Sequence, residues 1–260
     1  MPVADTANRP PVLWLNALFH TEMLDDDDVF RRLHRFCGTF VDLTGIRPWL
    51  CVMTPLCHRI RVRLAEQGFA PERYAERILQ LAEIAEIGYH GHFFDDQGER
   101  LVSDRFTMAT AGPQMVAELA WLHALGLRPK LYTGGWWVIT PELLMQLAAA
   151  GFQLDASTRG DKANRYGDRY SDTLPALGER FELIHPITEI GSLPYFGQPW
   201  PYYEAALQGL LPAWGKRDQW AVLPLHDYDL AGARGHEWQT ITGLAASPLV
   251  RWMDVATALR

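Results

Sequence analysis

Short apolar runs separated by helical stretches recur along the whole chain, and that order limits the fold more than any other feature. Pro11–Phe19 is a continuous apolar run containing Trp14, as a central strand covered on both faces requires. Trp49–Thr54, Ile87–Phe93, Lys130–Thr133, Phe152–Ala156, Glu182–Ile190 and Ala221–Leu225 read as further strands, with a short one at Val250–Met253. Helical patterns fill the gaps. The acidic run Asp25–Asp28 suits a helix start and leads into Val29, Phe30, Leu33, Phe36 and Phe40, closed by Gly45. Leu56–Gln67, Pro71–Ala85, Pro113–Leu125 and a stretch from Thr140 to Gly151 follow, with shorter ones near Tyr203–Gly209 and Glu237–Leu244. Strand then helix, repeated, predicts parallel strands joined by right-handed crossovers. The expected architecture is α/β: a distorted (β/α)7 barrel, with residues 1–260 forming a single domain.

Bulk properties remove several function classes. The chain has 260 residues, 48% of them apolar, and a formal net charge of −7. Its Lys and Arg are scattered, with no basic stripe to follow a phosphate backbone, so no nucleic-acid partner is expected. No strand is followed by GxGxxG or GxxxxGK[ST], which leaves nucleotide-binding readings without their glycines. Cys37, Cys51 and Cys57 are irregularly spaced and read as buried thiols. No run is long enough to span a bilayer, and no basic, then apolar leader is seen, so a cytoplasmic protein is expected. The sequence does not indicate an oligomeric state.

Chemistry gathers at strand ends. Glu86–Phe94 begins apolar and delivers His90 and His92 two residues apart. Side chains at i and i+2 of a strand share a face, so both imidazoles can converge on one point. His20 and Glu22 follow the first strand, and Tyr132, Thr133 and Trp136 the fourth. Asp155 ends the fifth, Glu189 the sixth, and His226, Asp227 and Asp229 the seventh. In a parallel barrel these ends form one mouth, where active sites lie. Aromatic residues at Trp136-Trp137, Tyr195-Phe196, Trp200, Tyr202-Tyr203 and Trp214 can stack on sugar faces or seal loops over the rim.

These residues resemble the polysaccharide deacetylases with the NodB homology domain, over the chain from about Pro11 onward. Glu86-Ile-Gly-Tyr-His90-Gly91 is similar to the family's third-strand motif, and Gly151–Ser157 to its Gly-Phe-x-x-Asp-Ser-Ser segment. His20-Thr21-Glu22 stands where the family has its paired acids, and His226-Asp-Tyr-Asp229 resembles the family's last-strand His motif. Three positions depart. An acid is replaced by His20, the second ligand histidine by Phe94, and a fourth-strand Arg by Tyr132.

The resemblance implies removal of an N-acetyl-like group from a carbohydrate or related small acylated compound, using a divalent metal with zinc the first choice. Carried over, Glu22, His90 and His92 hold the metal, His92 standing in for position 94. His20 acts as base, and His226 as acid oriented by Asp229. Tyr132, Trp136 and Asp155 line the substrate. Two other readings stay open: an inactive barrel that binds a saccharide or serves a polysaccharide pathway as a partner, and a metal-free hydrolase or isomerase using His20, Glu22 and Asp229.

Overall fold

The computed structural model describes residues 11–101, 106–138, 140–157, 185–186, 218–231 and 236–259. The strands are β1 (Leu13–Thr21), β2 (Trp49–Val52), β3 (Glu86–Gly91), β4 (Leu131–Gly134), β5 (Leu154–Asp155), β6 (His185–Pro186), β7 (Gln219–His226) and β8 (Val250–Trp252). The helices are α1 (Asp27–Thr44), α2 (His58–Gln67), α3 (Pro71–Ala82), α4 (Met108–Ala124), α5 (Pro141–Ala149), α6 (His236–Ala246) and α7 (Val255–Ala258). The expected sixth strand is described only at His185–Pro186. The helix near Tyr203–Gly209, Glu189, and the aromatics from Tyr195 to Trp214 lie outside the described residues.

All strand pairs are parallel and form one curved sheet in the order β6-β5-β4-β3-β2-β1-β7, the wall of a (β/α) barrel. Alternation along the strands sorts side chains onto two faces. Leu13, Leu15, Ala17 and Phe19 of β1, with Leu50, Tyr89 and Tyr132, pack outward against the helices. Leu18, Trp49, Cys51, Leu131 and Leu154 meet on the other face, filling the barrel interior. His20 lies in register with Cys51 on one side and His226 on the other, and His90 with Thr133, which sets the polar residues above that interior layer.

One edge of β1 is shared. Leu18–Thr21 pair with β2, whereas Leu13–Leu15 pair with β8. At the fork between them the buried Asn16 side chain donates to the carbonyls of Arg47, 3.0 Å, and Met253, 2.6 Å. Those two bonds replace ladder contacts that a diverging pair of strands cannot make.

The acidic run before α1 does more than start a helix. Asp26 is the cap, accepting from the amides of Asp28 and Val29. Asp25 is buried and accepts from Arg63 of α2 at 2.6 and 2.8 Å, while Asp27 pairs with Arg73 and Arg77 of α3. Helix α4 begins at Met108, five residues before Pro113, because Thr107 accepts from the Thr110 amide as its cap. Pro113 then sits inside the helix, where only the bond to the Ala109 carbonyl is forgone. Among the described residues no helix is long and apolar enough to cross a membrane.

Candidate metal centre

Glu22 stands one residue beyond β1, and His90 and His92 bracket the end of β3; all three are buried. Glu22 Oε1 is 3.4 Å from His92 Nε2 and 3.7 Å from His90 Nε2, and the two Nε2 atoms are 2.9 Å apart. His90 Nδ1 lies 3.0 Å from the Thr133 carbonyl, an atom that only accepts, so Nδ1 carries the proton and Nε2 keeps its lone pair. Glu22 Oε1 and His90 Nε2 both accept at one point, and a proton on His92 Nε2 can serve only one of them. A cation serves all three. Bonds of 2.0–2.2 Å to a tetrahedral ion would separate its ligand atoms by roughly 3.3–3.6 Å, close to two of the three distances seen. Glu22, His90 and His92 also form the one group of candidate ligand side chains found among the described residues.

Protonation favours the same use. Burial and the neighbouring His90 push His92 down to about 4, so it is neutral at pH 7. Burial would raise Glu22, but its contacts with His90 and His92 outweigh that and hold the carboxyl ionised. Arg59 of α2 occupies its other oxygen, Oε2, at 2.8 Å.

Two further histidines border the cluster. His20 is stacked on His90 and meets His226 edge-on with ring centroids 5.2 Å apart. Burial, then the neighbouring imidazoles of His90 and His226, hold His20 well below the ordinary histidine value. His226 Nε2 is 4.0 Å from Glu22 Oε1, and its Nδ1 is 3.4 Å from Asp229, whose carboxylate also accepts from the His226 amide. Burial works against protonation of His226, yet Asp229 and Glu22 together raise it above the ordinary value. Asp227 is fully buried and ties the two rims, accepting from the Met23 amide at 2.7 Å. Burial pushes that carboxyl up to about 7.

The structure thus brings Glu22, His90, His92, His20, His226 and Asp229 together. Trp136 joins them, its ring 4.2 Å from that of His92 and nearly perpendicular to it. Tyr132 and Asp155, expected to line substrate, are both buried. Tyr132 is on the outer face, fully buried near Tyr89 and Phe152, with its hydroxyl donating to the Val138 carbonyl. Even residues of β4 face outward, which is why Thr133 and not Tyr132 reaches His90. Asp155 accepts from the amide and hydroxyl of Ser157, and Ser157 Oγ accepts from the Gly134 amide. Its carboxylate thereby holds the turn that carries Trp136. Phe94 packs near Trp136 and His58.

The barrel wall and its mouth can be set beside known structures. The chain superposes on a Mycobacterium smegmatis protein assigned as a polysaccharide deacetylase with a TM-score of 0.58 at 14% identity, covering 97% of this chain and 90% of that one. The fold is that of the polysaccharide deacetylases. A Puue allantoinase shares this deacetylase fold with a TM-score of 0.56 at 14% identity, over 100% of this chain and 96% of the other. A 4-alpha-glucanotransferase from Thermococcus litoralis gives 0.54 at 13% identity; 95% of this chain is covered, but it spans only 40% of that longer protein. No family profile and no curated protein matches the sequence.

Two residues near the barrel mouth, Arg59 and Glu118, are not singled out by the sequence. Arg59 sits in the first turn of α2, where the helix dipole disfavours a cation, and that mismatch is a readable signal. Glu118 falls on the buried stripe Ala111, Met115, Leu119, Leu122 of α4, a charge amid apolar positions. It lies beside Thr54 and Tyr89, and burial pushes it up to about 8, so it is protonated at neutral pH.

Proposed function

We propose that this chain is a divalent-metal hydrolase that removes an acyl group from an amide or ester of a carbohydrate or related small molecule, with residues 1–260 as one catalytic domain. The observation that carries this reading is the convergence of Glu22, His90 and His92 on one point, beside the His226–Asp229 pair. The deacetylase and allantoinase names of the structural neighbours support it. Two imidazole nitrogens and one carboxylate make zinc our choice of ion.

Bound there, the ion supplies a Lewis acid that polarises the acyl carbonyl and makes water more acidic. The protein does the rest. His226, whose protonated form Asp229 and Glu22 favour against burial, donates a proton to the departing amine or alcohol. His20, neutral and adjacent, accepts a proton from the attacking water. Glu22 stays ionised throughout, and the Trp136 ring limits water access on the His92 side.

Elemental analysis of purified wild-type and His90→Ala protein tests the centre, followed by acetate release from a panel of N- and O-acetylated sugars. Stoichiometric zinc, lost in His90→Ala together with turnover, is the expected result. Metal-free protein even after incubation with zinc or cobalt, still able to bind sugars, would instead favour the inactive binding barrel.

A further inference from the structure

The two histidines of the cluster are aimed by different means. His90 has a hydrogen bond on its far nitrogen, where Nδ1 meets Thr133 Oγ1 at 2.9 Å and the Thr133 carbonyl at 3.0 Å. That is the usual way a ligand imidazole is oriented. His92 lacks it: its Nδ1 is buried and has no hydrogen-bond partner among the described residues. Yet the ring is only 3% exposed and holds its Nε2 at the cluster, so something else fixes it.

Two features do so. Gln114 of α4 clamps the backbone just after the ring, spanning Phe93, its Nε2 donating to the His92 carbonyl at 2.7 Å and its Oε1 accepting from the Phe94 amide at 3.1 Å. The same Nε2 donates to Glu118 at 2.5 Å, so the bracket is anchored in the buried acid behind it. On the opposite side the ring rests against the turn after β4. A Cβ at Gly135 would stand 2.4 Å from His92 Cδ2 and Cγ, closer than any side chain permits. The next residue, Trp136, adopts a left-handed φ of 53°, the one non-glycine case among the described residues, and sets its indole edge-to-face on the same imidazole.

We propose that Gln114 and Gly135 are positioning residues that aim His92 at Glu22 and His90, the Gln114 bracket and the Gly135–Trp136 turn acting as two jaws in place of the missing hydrogen bond. This deepens the metal-centre reading and rests on it. The jaws also account for how a histidine two residues after His90 reaches the cluster, since the bracket fixes the chain just where β3 has ended at Gly91.

Cobalt(II) affinity of the stripped full-length chain, measured by competition with a chelating indicator, tests the proposal in Gly135→Ala and Gln114→Ala. Ring nitrogen resonances of the metal-free protein are recorded alongside by NMR. Both variants are expected to bind cobalt 10–100-fold more weakly, the scale on which supporting contacts of metal ligands act. Both should also shift the His92 ring signals while leaving those of His90 in place. Affinity within about threefold of wild type, or equal disturbance of both rings, would overturn it. Should Gln114→Ala not fold, Gly135→Ala decides alone, because it leaves α4 intact. Wild-type protein that binds no cobalt would sink the metal reading, and the ring signals would still decide whether the jaws aim His92.

Discussion

His20 lies flat on His90, with ring centroids 4.4 Å apart and planes within 5° of parallel. The stack places a neutral imidazole directly over a ring that is itself committed to Thr133 and the carboxylate cluster. His20 is not among the grouped ligand atoms, so it is free for proton transfer. We predict that His20→Ala keeps its metal content but loses about 100-fold or more in kcat, the usual scale for a general base. Loss of metal in step with activity would instead make His20 part of the ion's support.

Asp229 should tune the acid. Its contact with His226 Nδ1, together with Glu22, raises His226 against the effect of burial. A donor must be protonated, so activity falls as pH rises through the raised His226 pKa. Asp229→Asn removes the negative charge but keeps the size, and the alkaline limb of kcat/KM should move to lower pH. The full pH–rate profile of both proteins checks this; an unmoved limb would show that another group supplies the proton.

Glu118 should make stability depend on pH. Folded, the carboxyl is raised from its ordinary 4.5 to about 8. The folded state then holds a proton that the unfolded chain has lost, so this group's contribution is complete below about pH 4.5 and fades as pH climbs through 8. Glu118→Gln should flatten that decline, gaining on the order of a few kcal/mol over wild type at pH 9. Asp227, raised to about 7, adds a slope of the same sign, so the decline lessens without vanishing. Urea unfolding between pH 5 and 9 measures it, and parallel curves for the two proteins would contradict the argument.

Asn16 offers a test of the fold itself. Asn16→Ala removes both bonds at the strand fork, one buried and one partly buried, and leaves the carbonyls of Arg47 and Met253 facing no donor from this side chain. A loss of about 2–3 kcal/mol is expected, from two missing hydrogen bonds and the desolvated groups left behind. Denaturant titration at constant slope gives the value, and a change below about 0.5 kcal/mol would mean the fork is held otherwise.

The parts legible in the sequence are those governed by local pattern. Leu13–Thr21 and Trp49–Val52 appear as unbroken apolar runs because both faces of a parallel strand are covered. His90 and His92 are readable as a pair because they stand two apart at a strand end, although β3 itself stops at Gly91. Tyr132 shows the limit of such counting: nearness to a strand end finds the mouth but does not decide which face a given side chain takes, and Tyr132 is buried against the outer core. The start of α4 was hidden by Pro113, which looks like a first helical residue when the Thr107 cap is overlooked. Arg59, Gln114 and Glu118 act across the gap between helix and sheet. Their partners Glu22, His92 and Thr54 lie far off in sequence, and no spacing rule connects them.

The forked edge of β1 has a bearing on how the molecule is made. Asn16 must wait for Met253, 237 positions later, before its second bond can form. As the polypeptide leaves the ribosome, β1 therefore stays incomplete at its fork until Met253 has been added. His20 lies at the end of that strand and Glu22 follows it, so the mouth they share with His226 joins side chains more than 200 positions apart.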